Sequence, residues 1–264
     1  MLSLDLGKKA SDVNASKRRF APKLNKKGIA TVIILLVFFY AATTAEFRCI
    51  FVDHFGFEKV GPNIFVQSDM SPVDVQILLS TIEKSKERVV NLFGAMESNT
   101  IIVVGTDSNE LEKFGLPNKF GATRSSPFGP FVLIGINGLN EDVIAHELVH
   151  AEFFHRIGWY RFHKVPMWFH EGLGTQVDNR PRYSEESWTK KTNNGRDVPN
   201  LNTIVSVEEF QSGDINTTRY HYVIAKHEVM EWLKIAGEKG LLQLIDKIKN
   251  GEDFYNAYEQ IKSS

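Results

Sequence analysis

His146-Glu147-Leu148-Val149-His150 constrains this chain more than any other five residues. On an α-helix, two histidines four positions apart share one face about one turn apart and aim at the same point. The surrounding residues agree with a helix. Asn140 is a capping residue, Glu141 and Asp142 fall in a first turn where the helix dipole favours acids, and Gly158 supplies the stop. Two neutral imidazoles suit zinc. Glu147, one residue beyond the first histidine, projects beside such an ion, where it can take the proton of a water that zinc acidifies to a pKa of about 7.

Chance produces this pattern in about one chain in a hundred of this length, so a third ligand is needed. A catalytic zinc takes three protein ligands and leaves the fourth place to water. Glu171 is the candidate. It lies 21 residues after His150, within Pro166-Met-Trp-Phe-His-Glu-Gly-Leu-Gly, a segment that reads as a second helix reached after a turn near Gly158. The joint pattern resembles the gluzincin zinc metallopeptidases, in particular their peptidase-MA-like, membrane-anchored branch. There the first helix is followed by one with a W-x-x-E-G-like signature, matched here by Trp168, Glu171 and Gly172. The resemblance implies one Zn2+ per chain on His146, His150 and Glu171, with Glu147 as general base.

Other zinc arrangements fit less well. The metzincin pattern needs Gly three and His six positions after the second histidine, where this chain has Phe153 and Arg156. His155, His163 and His170 read as surface or supporting residues rather than ligands. A cluster of thiolates is excluded, because Cys49 is the only cysteine, and it reads as an inert thiol.

The likeness extends over roughly residues 60–262. Members of the family often draw a Tyr or His from their closing helices to hold the oxyanion. Tyr222 is the candidate, with Tyr220 and His221 behind it, and an aromatic packing role is the alternative. The substrate of the family pairs as an extended strand with a sheet edge, for which Lys119 to Thr123 or Phe131 to Ile136 would serve. Gly94-Ala95-Met96-Glu97-Ser98 resembles the substrate-amine loop of gluzincin aminopeptidases, but Met96 precedes His146 by 50 residues, too far for that role. It reads as the end of a helix.

Charge divides the chain. Residues 1–27 hold eight basic residues against Asp5 and Asp12, a surplus of six, in a chain whose net charge is -1; everything after is therefore at -7. Directly downstream runs the uncharged Gly28 to Ala45, about 27 Å long as a helix and close to the thickness of a bilayer core. The expectation is a cytoplasmic segment 1–27, a transmembrane signal anchor 28–45, a connector 46–62, and an exported catalytic domain 63–264, periplasmic or extracellular. A cleaved signal peptide is the alternative. The near-neutral balance of the whole argues against a nucleic-acid partner.

The remaining patterns set the fold class. Asn63 to Gln67, Thr100 to Gly105 and Pro130 to Ile136 read as strands, Pro72 opens an amphipathic helix, 118–129 reads as loop, and helices close the chain from about Tyr220. The expected fold is α+β, with a small, mainly antiparallel sheet, an active-site helix and a C-terminal helical subdomain, gluzincin-like, preceded by one transmembrane helix. The expected function is a membrane-anchored zinc metallopeptidase acting on a peptide or protein substrate. Alternatives are a zinc amidase acting on cell-wall peptides and a non-catalytic exported binding module with a structural zinc.

Overall fold

The computed structural model describes residues 26–116 and 120–263. The basic segment lies outside them except for Lys26 and Lys27, as does Lys119 of the first expected substrate edge. Two compact units divide the chain at Ala42/Thr43.

The first unit contains nearly all of α1 (Lys26–Thr43). Among the described residues no helix is long and apolar enough to cross a membrane. The uncharged stretch does not remain one helix to Ala45. Thr44 adopts extended backbone and its hydroxyl accepts from the Phe47 amide, which starts α2 (Ala45–Ile50). Past its two lysines α1 keeps about 24 Å of uncharged helix, short of the roughly 30 Å of a hydrocarbon core. Its apolar side chains from Val32 to Val37 are all exposed.

The second unit is α+β. Residues 46–62, expected as a connector, are folded. They carry α2, a single turn at Val52–Phe55, and β1 (Phe57–Gly61), which pairs antiparallel with β2 (Ile64–Gln67). Cys49, Val52 and Phe57 pack into a core there, and burial pushes the Cys49 thiol up to about 12, which makes it inert at neutral pH. Ser71 caps α3 (Pro72–Phe93), Pro72 opens it, and Gly94 ends it with φ 75. The Gly94–Ser98 segment is thus a helix end. The amides of Glu97 and Ser98 donate to the fully buried Glu152 carboxylate.

The sheet runs β1-β2-β3-β5-β4, with β3 (Ile101–Val104), β4 (Gly121–Ser126) and β5 (Gly129–Ile134). It is mixed rather than mainly antiparallel. β2/β3 and β3/β5 are parallel, whereas β1/β2 and β4/β5 are antiparallel. The reason is the crossover: α3 carries the chain back along the sheet, so β3 enters in the direction of β2. Residues 118–129, expected as loop, contain β4, which hairpins onto β5 with Gly121 opposite Ile134. Gly-Ala-Thr-Arg-Ser-Ser has no apolar alternation because an edge strand need bury little on either face. After β3 comes the short α4 (Ser108–Glu112).

Alternation on the strands supplies two cores. Ile102, Val104, Val132 and Ile134 face the main core, which α3, the buried helix α5 (Glu141–Ile157) and the closing helices complete; Val103, Phe131 and Leu133 face the smaller one with Leu111 and Phe114. Beyond α5 come α6 (Trp159–Phe162), α7 (Met167–Gly174), α8 (Glu185–Lys191) and α9 (Val207–Phe210). The chain closes with α10 (Ile215–Lys249), broken at Gly237, and α11 (Phe254–Lys262).

Candidate metal centre and its cleft

Every residue of α5 from Val143 to Phe154 is buried, so its polar side chains act in the interior. The Asn140 side chain accepts from the Val143 amide, and Gly158, at φ 86, ends the helix. Between these caps His146 and His150 point to one place, with their Nε2 atoms 3.1 Å apart.

Helix α7 brings the third group. Glu171 Oε2 lies 3.2 Å from His146 Nε2 and 3.6 Å from His150 Nε2. All three residues are nearly buried, at 7%, 9% and 6% exposure for His146, His150 and Glu171. These three side chains form a group that could hold a metal ion. Their spacing suits one: a tetrahedral ion with bonds of about 2.0–2.1 Å sets its ligand atoms roughly 3.3–3.4 Å apart. The electrostatics agree. Burial by itself would raise the Glu171 carboxyl, but His150 and His146 beside it hold it ionised, well below the carboxylate range. Burial would lower His150, and the Glu171 carboxylate outweighs that and raises it.

Two glycines let α7 come this close. A Cβ on Gly174 would meet the His146 ring at 2.9 Å, and one on Gly172 would meet the Ala225 carbonyl oxygen of α10 at 2.5 Å. Trp168 and Phe169 on the same helix pack edge-on against Phe254 and Trp232 respectively, which ties the Glu171 backbone to the closing helices.

Glu147 lies in the same cleft and is oriented by the sheet. The Thr123 hydroxyl of β4 stands 2.9 Å from Glu147 Oε2 and 2.8 Å from the Glu147 carbonyl oxygen, offering its one proton to the pair. Thr123 is expected from the sequence only as the end of a candidate substrate edge, not as a partner of Glu147, since its segment lacks a strand pattern. Its place beside Glu147 comes from pairing in the sheet.

Of the three oxyanion candidates, two meet backbone carbonyls and the third, Tyr222, meets Glu171. Tyr220 donates to the Asp197 carbonyl, and His221 meets the Phe210 carbonyl at 2.7 Å. Tyr222 lines the cleft, its ring 6.3 Å from that of His146 and in contact with Tyr183 and Phe210. Burial first, then the charge of Glu171, pushes its phenol well above the ordinary value, so it is a hydroxyl donor at neutral pH. The extra histidines stay out of the ligand group. His155 is exposed, His163 sits on the cleft rim, and His170 places Nε2 3.1 Å from the Phe162 carbonyl oxygen. Burial, then His150, lowers His170 to about 3, which keeps it neutral.

The cleft encloses about 640 Å³ between β4 residues 121–125 on one side and Val205, Ser206, Val207 and Gln211 on the other. Of the two expected substrate edges, Phe131–Ile134 is internal, bonded to β3 and β4, whereas β4 is an edge strand of the sheet. The arrangement therefore places a carboxylate, a phenol and a group of three side chains that could hold a metal ion in one cleft beside a sheet edge.

Comparison with protein families, with characterised proteins and with solved structures gives no match to this chain.

Proposed function

We propose that this chain is a zinc metallopeptidase of gluzincin type, holding one zinc ion on His146, His150 and Glu171. The observation that carries this reading is the convergence of those three side chains on one point with Glu147 in the same cleft. Two imidazoles and one carboxylate are a catalytic donor set, leaving a place for water, whereas structural zinc sites are closed and cysteine-rich. The only cysteine, Cys49, belongs to the smaller core.

When bound, zinc would acidify a water and polarise a peptide carbonyl. The rest is the work of this chain. Glu147, held by Thr123, accepts the proton of the attacking water and delivers it to the leaving amine. The Tyr222 phenol donates a hydrogen bond to the carbonyl oxygen as that oxygen gains charge. The substrate lies extended along the outer edge of β4, where main-chain hydrogen bonds fix the scissile bond over the ligands.

The same reading keeps a membrane tether at residues 28–45. What supports it is the apolar surface exposed all round α1 and the cation surplus upstream of it. Lys26 and Lys27 would reach to the headgroups from a helix somewhat short for the bilayer. The positive-inside rule then leaves 1–27 in the cytoplasm and the catalytic domain outside.

The test is to incubate the zinc-loaded full chain with a peptide library and then repeat with a chelator. New amino termini that vanish with chelator and return with zinc are expected. No cleavage by a preparation carrying one zinc per chain would leave a binding module with a structural metal. Cleavage confined to cell-wall peptides would make it an amidase.

A further inference from the structure

From Phe153 to His170 the chain has no aspartate or glutamate, yet His155, Arg156, Arg161, His163 and Lys164 all fall there. That runs against the -7 balance of everything after residue 27. The fold gathers the middle of the stretch on one small surface. Helix α6 turns away after Gly158 and leaves Trp159 47% and Tyr160 62% exposed. Cations stand beside the rings: Lys164 Nζ is 4.5 Å and the Arg161 guanidinium 5.5 Å from the Tyr160 ring centre. Trp159 packs edge-on to His163 at 5.6 Å. Arg156 is committed to Glu97 and Glu152, but among the described residues neither Arg161 nor Lys164 has a carboxylate partner.

Amphipathic rings beside cations that lack a carboxylate partner match the boundary between an apolar phase and phosphates, where Trp and Tyr settle at headgroup depth and Lys and Arg meet the phosphates. A second feature of the same chain points to a lipid phase, the apolar side chains of α1 that no core covers. We propose that the α6 surface docks on an anionic lipid bilayer, with Trp159 and Tyr160 at the headgroups and Arg161 and Lys164 on lipid phosphates. Phe162 and His163 line the cleft, so docking sets the cleft rim at the lipid surface. The inference stands whether or not the metal centre is catalytic.

The test uses the full chain in nanodiscs of phosphatidylglycerol with brominated acyl chains, which quench nearby tryptophans. Neither α1 nor the segment before it contains tryptophan, so insertion of α1 adds nothing to the signal. Trp168 and Trp232 are buried, leaving Trp159 and the half-buried Trp188 as reporters. Brominated lipid is expected to quench the wild type, Trp159→Phe to remove most of that quenching, and Trp188→Phe to remove little. Replacing phosphatidylglycerol by phosphatidylcholine, or making Arg161→Glu with Lys164→Glu, should cut it about threefold or more. Equal quenching of wild type and Trp159→Phe overturns the proposal, as does equal quenching in anionic and neutral discs. A Trp159 response to soluble heparin with none to lipid would overturn it in favour of an acidic polymer. The comparison of disc compositions needs no variant, so it decides the matter even where a substitution disturbs folding.

Discussion

Thr123 and Glu147, one on an edge strand and the other on a buried helix, are joined by a hydroxyl 2.9 Å from the carboxylate. The sheet therefore orients the candidate base. Thr123→Val keeps the shape and removes only the donor. A hydrogen bond to a charged group contributes about 1.5–3 kcal/mol, so kcat is expected to fall roughly ten- to a hundredfold with zinc content unchanged. Wild-type kcat in this variant, with zinc bound, would show that Glu147 needs no such support.

Glu147 and Glu171 should separate base from ligand. Glu147→Gln is expected to retain one zinc and lose hydrolysis, because the ligand atoms are untouched. Glu171→Gln should weaken zinc affinity strongly, since a neutral amide replaces the anion. His170→Ala should cost less, at most about ten- to a hundredfold, because its Nε2 meets Phe162 rather than the ligand group. Metal titrations read all three, and the reverse ranking would move the metal to another residue.

Tyr222→Phe deletes one hydroxyl in a wall otherwise fixed by Tyr183 and Phe210. If that hydroxyl meets the developing oxyanion, kcat should drop about a hundredfold with metal content and melting temperature preserved. A change below about threefold would leave Tyr222 a packing residue.

Gly174→Ala pits local propensity against tertiary fit. Alanine is favoured in a helix by about 1 kcal/mol, yet its methyl would sit 2.9 Å from the His146 ring. The expected result is weaker zinc binding with α7 still helical. Unchanged affinity would mean that His146 can move aside without cost.

Asp142, outside the group of His146, His150 and Glu171, provides a pH test. Burial alone would raise its carboxyl, but the Asn179 amide and the Arg88 guanidinium, 2.7 Å away, outweigh that and hold it below its ordinary value. A carboxyl depressed on folding stabilises the protein above its unfolded pKa, and that contribution is lost as pH falls through the lower, folded value. Asp142→Asn should therefore cost about 1–2 kcal/mol near neutrality, and its denaturation midpoint should converge on the wild type as pH falls through the lowered, folded value. A gap that persists in acid would assign the loss to packing.

Much of the site was legible in the chain because it is local. A spacing of four places His146 and His150 on one helical face, Asn140 and Gly158 bound that helix, and Pro166 announces the segment carrying Glu171; these follow from backbone geometry within a few residues. Non-local contacts carried no such signal. β4 has no apolar alternation, so Lys119 to Thr123 reads as a sheet edge only through the family resemblance, and the meeting of Thr123 with Glu147 could not be read from Gly121 to Ser126. The sheet is mixed because α3 returns the chain before β3, a matter of topology rather than of strand composition. Residues 46–62 read as a connector because Gly56, Gly61 and Pro62 interrupt them, and only contact with Phe114 and Phe131 shows that their apolar side chains build a core. Tyr222 ranks ahead of its neighbours Tyr220 and His221 on the family resemblance alone. The helix fans them out by about 100° each, and only the packing of α10 against α7 decides that Tyr222 lines the cleft with His146 and Glu171 while the other two meet backbone carbonyls. Short-range geometry thus determined the ligand helix, and long-range packing decided what surrounds it.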